Sequence, residues 1–149
     1  MKKYVLFLYF LPMFLFSGVF EHLLNTDKNY LFEHNFRCHG SICIASEKNI
    51  YDNPIMEDAI KVVKTFLDHK EKVFKIEIEL LFKNEQKEAF YNALIKSSTD
   101  NENIEYKKYE LNDKYGNHSF VDITNKKREK EYIDFLTNKY YDIMKSYKN

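Results

Sequence analysis

The chain has 149 residues, of which 44% are hydrophobic and 17% aromatic, and its 23 basic residues equal its 23 acidic residues. A chain of this length suits one domain, and the balanced charge gives no reason to expect a nucleic-acid partner. No linker rich in Pro, Gly or Ser, no internal repeat and no low-complexity tract interrupts it, which argues against a second domain.

The first 20 residues carry the strongest signal in the sequence. Lys2 and Lys3 precede an uncharged apolar run, Tyr4–Phe20. A short basic segment followed by an apolar run is the pattern that secretory machinery recognises. We therefore predict that residues 1–20 are a signal peptide or a signal anchor, and that residues 21–149 form a single exported domain. We expect that domain in the periplasm, at the cell envelope, or secreted.

Cleavage and anchoring both remain open. The run is at the lower limit of length for crossing a bilayer and contains Pro12, which favours a cleaved signal. A signal-peptide cleavage site has small residues one and three positions before the cut. Ser17 and Gly18 could each stand directly before the cut, but neither has a small residue two positions upstream, which favours an uncleaved anchor. Residues 4–20 would then hold the protein in the membrane as an N-terminal hydrophobic helix. The alternative to export is that this run is a buried helix in the core of a cytosolic protein. That alternative is disfavoured, because the rest of the chain would have to cover the aromatic-rich run on every side.

Two strands and a helix are predicted after the run. Apolar and polar residues alternate over 30–38, which predicts a strand, and His39–Ser41 predicts a turn into a partner strand at Ile42–Ala45. Asn53 and Pro54 suit the start of a helix. That helix would carry one apolar stripe, made of Met56, Ala59, Ile60, Val63, Phe66 and Leu67.

The next predicted elements are a strand and a helix. Apolar and charged residues alternate over Phe74–Phe82, the pattern of a half-buried antiparallel strand. Asn84 can cap a helix that runs to about Ser97. Its buried face would comprise Ala89, Phe90, Ala93 and Leu94.

A hairpin and a helix complete the chain. Ile104–Leu111 is predicted as a strand with a bulge or an edge position, because its alternation breaks at Lys107 and Lys108. The loop 112–117 would lead to a second strand, His118–Thr124, and Asn125 would open the last helix. The chain is thus predicted to be α+β, of order ββαβαββα, with a small antiparallel sheet and two or three helices packed on one face.

Cys38 and Cys43 are predicted to form a disulfide. They lie on the two arms of the first hairpin, where their Cα atoms can approach closely enough, and an oxidising compartment would favour pairing. One alternative is a metal site that adds His34 and His39 to the two cysteines, although no second ligand cluster is present. Another is a redox-active pair, although the spacing is not C-x-x-C. The sequence predicts no metal and no cofactor.

The polar residues form no motif specific for catalysis. Glu77 and Glu79 share one strand face, where two carboxylates can do acid–base work, but Lys75 on that face favours a solvated surface. His118 and Asp122, with Ser119, have the residue types of a hydrolytic triad without a nucleophile elbow or an oxyanion loop. We interpret this as chance.

The leading hypothesis is a non-enzymatic binding module for an unknown protein or envelope ligand. Its working surface is predicted around Tyr106, Tyr109 and Tyr115, where aromatic content coincides with an edge strand. The alternatives are a small enzyme or enzyme inhibitor, and metal or redox handling at the cysteine hairpin. A cleft gathering Glu77, His118 and Asp122 would favour an enzyme, whereas an exposed aromatic patch without a cleft would favour binding.

Overall fold

The computed structural model describes residues 20–46, 60–81, 84–96 and 101–148. Residues 20–23 form a helical turn, and the remaining elements are three helices and six strands. In chain order they are α1 (Lys28–Glu33), β1 (Arg37–His39), β2 (Ile42–Ser46), β3 (Ile60–Leu67), β4 (Val73–Leu80), α2 (Asn84–Lys96), β5 (Ile104–Asp113), β6 (Gly116–Asn125) and α3 (Lys126–Lys148). The predicted α+β class and antiparallel sheet are confirmed.

The six strands make one sheet in the order β1-β2-β3-β4-β6-β5, and every neighbouring pair is antiparallel. The predicted alternating strand is confirmed as β4, in which Ile76, Ile78 and Leu80 are buried while Glu77 and Glu79 between them are half-buried. Two helices contribute to the same core as these apolar residues. It includes Phe20, Leu23, Leu24, Leu31, Phe36, Val63, Phe90, Leu94, Val121 and Ile123.

Only Phe20 of the N-terminal apolar run lies within the described residues, and it is fully buried in the core. The predicted hydrophobic helix over the rest of the run lies outside them. Of the helices that the structure describes, none has the length and apolar character that a membrane span requires.

The strand predicted over 30–38 is wrong for its first half, which is the helix α1. Asp27 caps this helix: its carboxylate accepts a hydrogen bond from the Tyr30 N–H at 2.9 Å. The helix ends where Asn35 adopts a left-handed backbone with φ of 65°, and the chain then enters β1. The Asp27 cap, which favours a helix, thus outweighed the alternation of apolar and polar residues, which favours a strand.

The helix predicted over 54–67 is also wrong where the structure describes it, because Ile60–Leu67 is the strand β3. The start of that predicted helix, 53–59, lies outside the described residues. The β3–β4 register shifts between Ile60 and Val62, so Ile60 and Val63, three positions apart, are both buried. The bulge therefore gives the buried apolar residues a spacing that is typical of a helix.

The C-terminal half follows the prediction closely. The predicted helix from Asn84 is α2, and the predicted hairpin is β5–β6, although its loop shrinks to residues 114–115. No bulge occurs at Lys107 and Lys108, since β5 pairs with β6 without a register shift. The edge position of β5 is confirmed. Asn125 caps α3, accepting a hydrogen bond from the Arg128 N–H at 3.1 Å.

Cys38 and Cys43 face each other across the β1–β2 hairpin and form the predicted disulfide. His34, from the alternative metal set, instead makes a 2.8 Å hydrogen bond between its Nδ1 and the Tyr30 carbonyl. Within the described ranges, no group of three or more His, Cys, Asp or Glu side chains is arranged to hold a metal ion.

Alkylation of the native protein without reduction is expected to leave both cysteines unlabelled. Replacing Cys38 and Cys43 together by alanine is expected to lower the free energy of unfolding by about 2 kcal/mol, because a bond that closes so short a loop restricts the unfolded chain only modestly. Mass spectrometry and urea denaturation measure the two effects. Two reactive thiols, or stoichiometric zinc, in protein from its natural compartment would contradict the disulfide.

Candidate interaction surface

The structure does not bring the three predicted tyrosines into one patch. Tyr106 and Tyr109 lie three positions apart on β5 and so face opposite sides of the sheet. The Tyr106 hydroxyl donates to the Glu21 carboxylate, and burial with that contact raises the pKa of Tyr106. Tyr115 is 78% exposed at the hairpin tip. Partner binding by these residues stays a prediction.

Tyr109 lies on the sheet face opposite the helix-covered core. Its hydroxyl donates to Glu77 Oε2 at 2.6 Å, and its ring stacks on Phe120 with centroids 4.9 Å apart. Burial, reinforced by the Glu77 hydrogen bond, raises the pKa of Tyr109. Both contacts hold the side chain against the sheet, so Tyr109 offers a partner little more than a ring edge.

A ladder of ion pairs crosses the same face. Lys64 Nζ lies 3.3 Å from Glu77 Oε1, and Lys75 Nζ lies 2.8 Å from Asp122 Oδ2. Glu77 and Asp122 are direct neighbours on β4 and β6. The two carboxylates are adjacent, but each is paired with a lysine, so the charges on this surface neutralise one another. The sequence interpretation of this face as solvated is not supported at Glu77, which is half-buried, or at Asp122, which is buried.

Asp122 is the most chemically distinctive group on this face. It is 8% exposed, and its Oδ1 has no hydrogen-bond partner in the part of the chain that the structure describes. Burial raises the pKa of the Asp122 carboxyl, and Lys75 opposes that effect. A buried carboxyl with a raised pKa can retain a proton and donate it. Such a group becomes a catalytic acid only where a substrate can reach it.

His118 does not form a triad with Ser119. Its Nδ1 lies 2.8 Å from Glu79 Oε1 and its Nε2 lies 3.2 Å from Asp113 Oδ1, so both ring nitrogens face carboxylates. The Glu79 hydrogen bond, followed by that to Asp113, raises the pKa of His118 although partial desolvation opposes it. The Ser119 hydroxyl donates instead to Glu110 at 3.4 Å. A histidine held between carboxylates tends to be protonated and is a poor general base.

One cavity of about 330 Å³ lies between α2 and the β5–β6 hairpin. Its lining includes Lys87, Tyr91, Lys108 and Ser119, but it includes none of Glu77, His118 or Asp122. The cavity thus shares Tyr109 and Phe120 with the carboxylate-rich face, but none of these three polar side chains. Within the described residues, the cleft that would favour an enzyme does not gather those three side chains.

The helix α3 differs from the other described helices because none of its 23 residues is buried. Its ring contacts with the body come from its first ten residues: Tyr132 packs on Phe74 with centroids 5.3 Å apart, and Phe135 stacks on His69 at 4.0 Å. Arg128 adds an ion pair from its Nη1 to Asp68 Oδ2 at 2.8 Å. The helix is thus fastened at its N-terminal end.

From Ile133 to Tyr147, α3 exposes a continuous apolar surface, which we name the α3 stripe. Its members recur at spacings of three and four and are between 41% and 83% exposed. They are Ile133, Leu136, Tyr140, Ile143, Met144 and Tyr147. An amphipathic helix normally buries such a face against the core. Here the large apolar side chains are presented outward.

The charges of α3 are sorted around this stripe. By helical periodicity, Lys130, Lys139 and Lys148 lie along the borders of the stripe. The acidic residues Glu131, Asp134 and Asp142 lie on the far face of the helix. Glu129 in the first turn is the exception, because helical periodicity places it in line with Ile133. From Ile133 onward the surface is apolar at its centre and basic at its margins.

Sequence reasoning identified the last helix but assigned its apolar residues no binding role. The signal that was available is a partial sorting of charge, in which three lysines border the apolar residues and three acidic residues lie on the far face. What the periodicity alone could not show is that the sheet and the other helices leave this stripe uncovered. No protein-family model, curated protein or solved structure matches the chain, so the evidence for its function lies in its own residues and geometry.

Proposed function

We propose that this protein is an exported, non-enzymatic interaction module whose working surface is the α3 stripe. The observation that carries the proposal is a 23-residue amphipathic helix without a buried residue, which exposes aliphatic and tyrosine side chains along one face. A contiguous exposed apolar surface marks an interaction site on a folded protein. Tyrosine adds a rigid, amphipathic contact surface.

Export is supported by two independent features of the chain. The apolar run after Lys2 and Lys3 has the arrangement of a secretory signal. The disulfide between Cys38 and Cys43 belongs to a type that persists in oxidising compartments. We take the site of action to be the outer side of the membrane that the protein crosses or to which it stays anchored.

The enzyme hypothesis has weaker support. Asp122 is the best candidate acid, yet its carboxylate lies on a sheet face of paired charges and does not line the cavity between α2 and the β5–β6 hairpin. His118 is held by two carboxylates and Ser119 points elsewhere. The exposed apolar and aromatic α3 stripe contributes no residue to the cavity between α2 and the β5–β6 hairpin, which favours binding over catalysis.

Site-specific photocrosslinking tests the proposal in the full-length protein. A photoreactive phenylalanine analogue at Tyr140 lies in the stripe, whereas the same analogue at Asn138, two positions earlier, lies on the opposite, polar face. We expect irradiation of protein in its natural compartment to give adducts from position 140 and not from position 138. Both positions are exposed, so folding should be unaffected.

Mass spectrometry of the adducts identifies their chemical nature. Adducts confined to position 140 support the stripe as the working surface, whether the captured species is protein or lipid. Equal yields from both positions, or none from either, would show that the stripe is not a specific contact surface and would overturn the proposal.

A further inference from the structure

We infer that the α3 stripe rests on an anionic lipid bilayer, so that α3 lies parallel to the membrane surface. The inference depends on the proposed function and names the occupant of the same surface. Three observations support it: the placement of lysines along the stripe, the position of α3 relative to the N-terminal apolar run, and the composition of the stripe itself.

Charge complementarity is the first argument. Lys130, Lys139 and Lys148 border the stripe, while Glu131 and Asp142 lie on the opposite face. An interfacial helix buries its apolar face at the boundary of head groups and acyl chains, and lysines at the margin then reach lipid phosphates. Acidic residues on the far face stay in water. The three lysines at the margins thus lie where an anionic surface favours them, whereas Lys127 and Lys145 lie on the far face and Glu129, in the first turn, lies in line with the stripe.

The position of α3 is the second argument. Asn25 Oδ1 accepts hydrogen bonds from Arg128 Nε at 2.9 Å and from Asn125 Nδ2 at 3.3 Å, so residue 25 lies at the start of α3. Five residues separate it from Phe20, a span of at most about 18 Å. If the apolar run enters the membrane, the first turn of α3 lies within that distance of the bilayer.

The residues of the stripe are the third argument. Ile133, Leu136, Tyr140, Ile143 and Tyr147 follow a heptad-like pattern for only two repeats, which is short for a coiled coil with a second copy. Tyrosine is enriched at membrane–water boundaries, where its ring is in apolar surroundings and its hydroxyl in water. A lipid surface can accommodate these side chains without the complementary pockets that a protein partner would need.

Nitroxide labelling of the full chain in vesicles tests the inference. Because Cys38 and Cys43 are paired, a thiol-directed label reacts only with a new cysteine, placed by Tyr140→Cys in the stripe or by Asn138→Cys on the polar face. The vesicles are phosphatidylcholine with about a quarter phosphatidylglycerol, to provide an anionic surface. Relaxation by oxygen, which concentrates in lipid, is compared with relaxation by a water-soluble nickel chelate.

We expect oxygen to relax the label at position 140 more than the chelate does, and the reverse at position 138. An apolar run that anchors the chain does not by itself produce this difference, because both labels share the anchor. If the label at 140 is shielded from both reagents, a protein surface covers the stripe, either a second copy or residues 4–19. That result overturns the lipid inference and leaves the interaction module standing.

If positions 140 and 138 respond alike to the chelate, the stripe does not contact lipid and the inference is again overturned. Failure of the photocrosslinking experiment, by contrast, would remove the proposed function as a whole. The two outcomes are therefore distinguishable.

The lysines provide a second measurement. Replacing Lys130, Lys139 and Lys148 by glutamine is expected to lower the ratio of lipid-exposed to water-exposed label at position 140 roughly fivefold per lysine. Lys127→Gln and Lys145→Gln, on the polar side of the helix, are the matched controls and should change the ratio far less. An unchanged ratio in the triple variant would overturn the anionic-surface inference.

Discussion

Replacing Phe20 with alanine is expected to lower the free energy of unfolding by about 3–5 kcal/mol. Phe20 is fully buried in the core, beside other apolar residues of the N-terminal segment and the sheet. Removal of its ring would leave a cavity that the surrounding side chains cannot fill completely. Urea denaturation followed by circular dichroism measures the loss.

Phe32→Ala is the matched control, because Phe32 is 52% exposed on α1. We expect that variant to lose less than about 1 kcal/mol. Equal losses at positions 20 and 32 would contradict the packing of Phe20 in the core. Phe20 also lies at the end of the predicted signal segment. Cleavage that removes residues 1–20 would delete this core side chain, and the mass of the mature N-terminus determines whether Phe20 is retained.

Replacing Arg128 with alanine is expected to destabilise the fold by about 2–4 kcal/mol. Asp68 is buried and accepts hydrogen bonds on one oxygen from the Lys70 and Lys72 N–H groups, and on the other from Arg128 Nη1. Without the guanidinium, a carboxylate remains buried without its counterion. The hydrogen bond from Arg128 Nε to Asn25 is lost as well, so the start of α3 loses two of its attachments.

This destabilisation should depend on pH. Burial acts to raise the pKa of the Asp68 carboxyl, but hydrogen bonds from Arg128 and from two backbone N–H groups outweigh it and hold the pKa below its ordinary value. The Asp68 contribution to stability is therefore present above the unfolded pKa of about 3.9 and is lost as the pH falls through the folded value. In Arg128→Ala that pKa rises, because burial is then less opposed.

The difference in unfolding free energy between wild type and Arg128→Ala is thus expected to be largest near neutral pH and to shrink in the acid range. Denaturation at several pH values measures it. Lys127→Ala, at an exposed neighbour on α3, is the control and should cost less than about 0.5 kcal/mol. A pH-independent loss in Arg128→Ala would show that packing, and not the pairing with Asp68, is what the residue supplies.

Several elements followed from sequence because their local pattern and their tertiary surroundings agree. The strict alternation in β4 matches a strand with one buried face, and Asn125 caps α3 whatever lies nearby. The disulfide was predictable because a short hairpin brings Cys38 and Cys43 opposite each other. These features depend on residues that are close together in the chain.

Two elements were mispredicted because a local or a distant contact prevailed over periodicity. At residues 28–33 the Asp27 cap stabilised a helix in a segment that alternates like a strand. At Ile60–Leu67, pairing with β2 and β4 in the middle of the sheet imposed a strand on residues spaced like a helix. The bulge after Ile60, which gives that spacing, depends on where β4 lies.

The candidate surface divides in the same way. The sequence alone determined that residues 126–148 form an amphipathic helix with lysines along its apolar border, because helical periodicity orders neighbouring side chains. Only the tertiary structure decided that the described sheet and helices leave this apolar face uncovered and that Tyr106 and Tyr109 point to opposite sides of the sheet. Exposure depends on what the rest of the chain packs against, and that follows from long-range strand pairing, which periodicity within one segment does not encode.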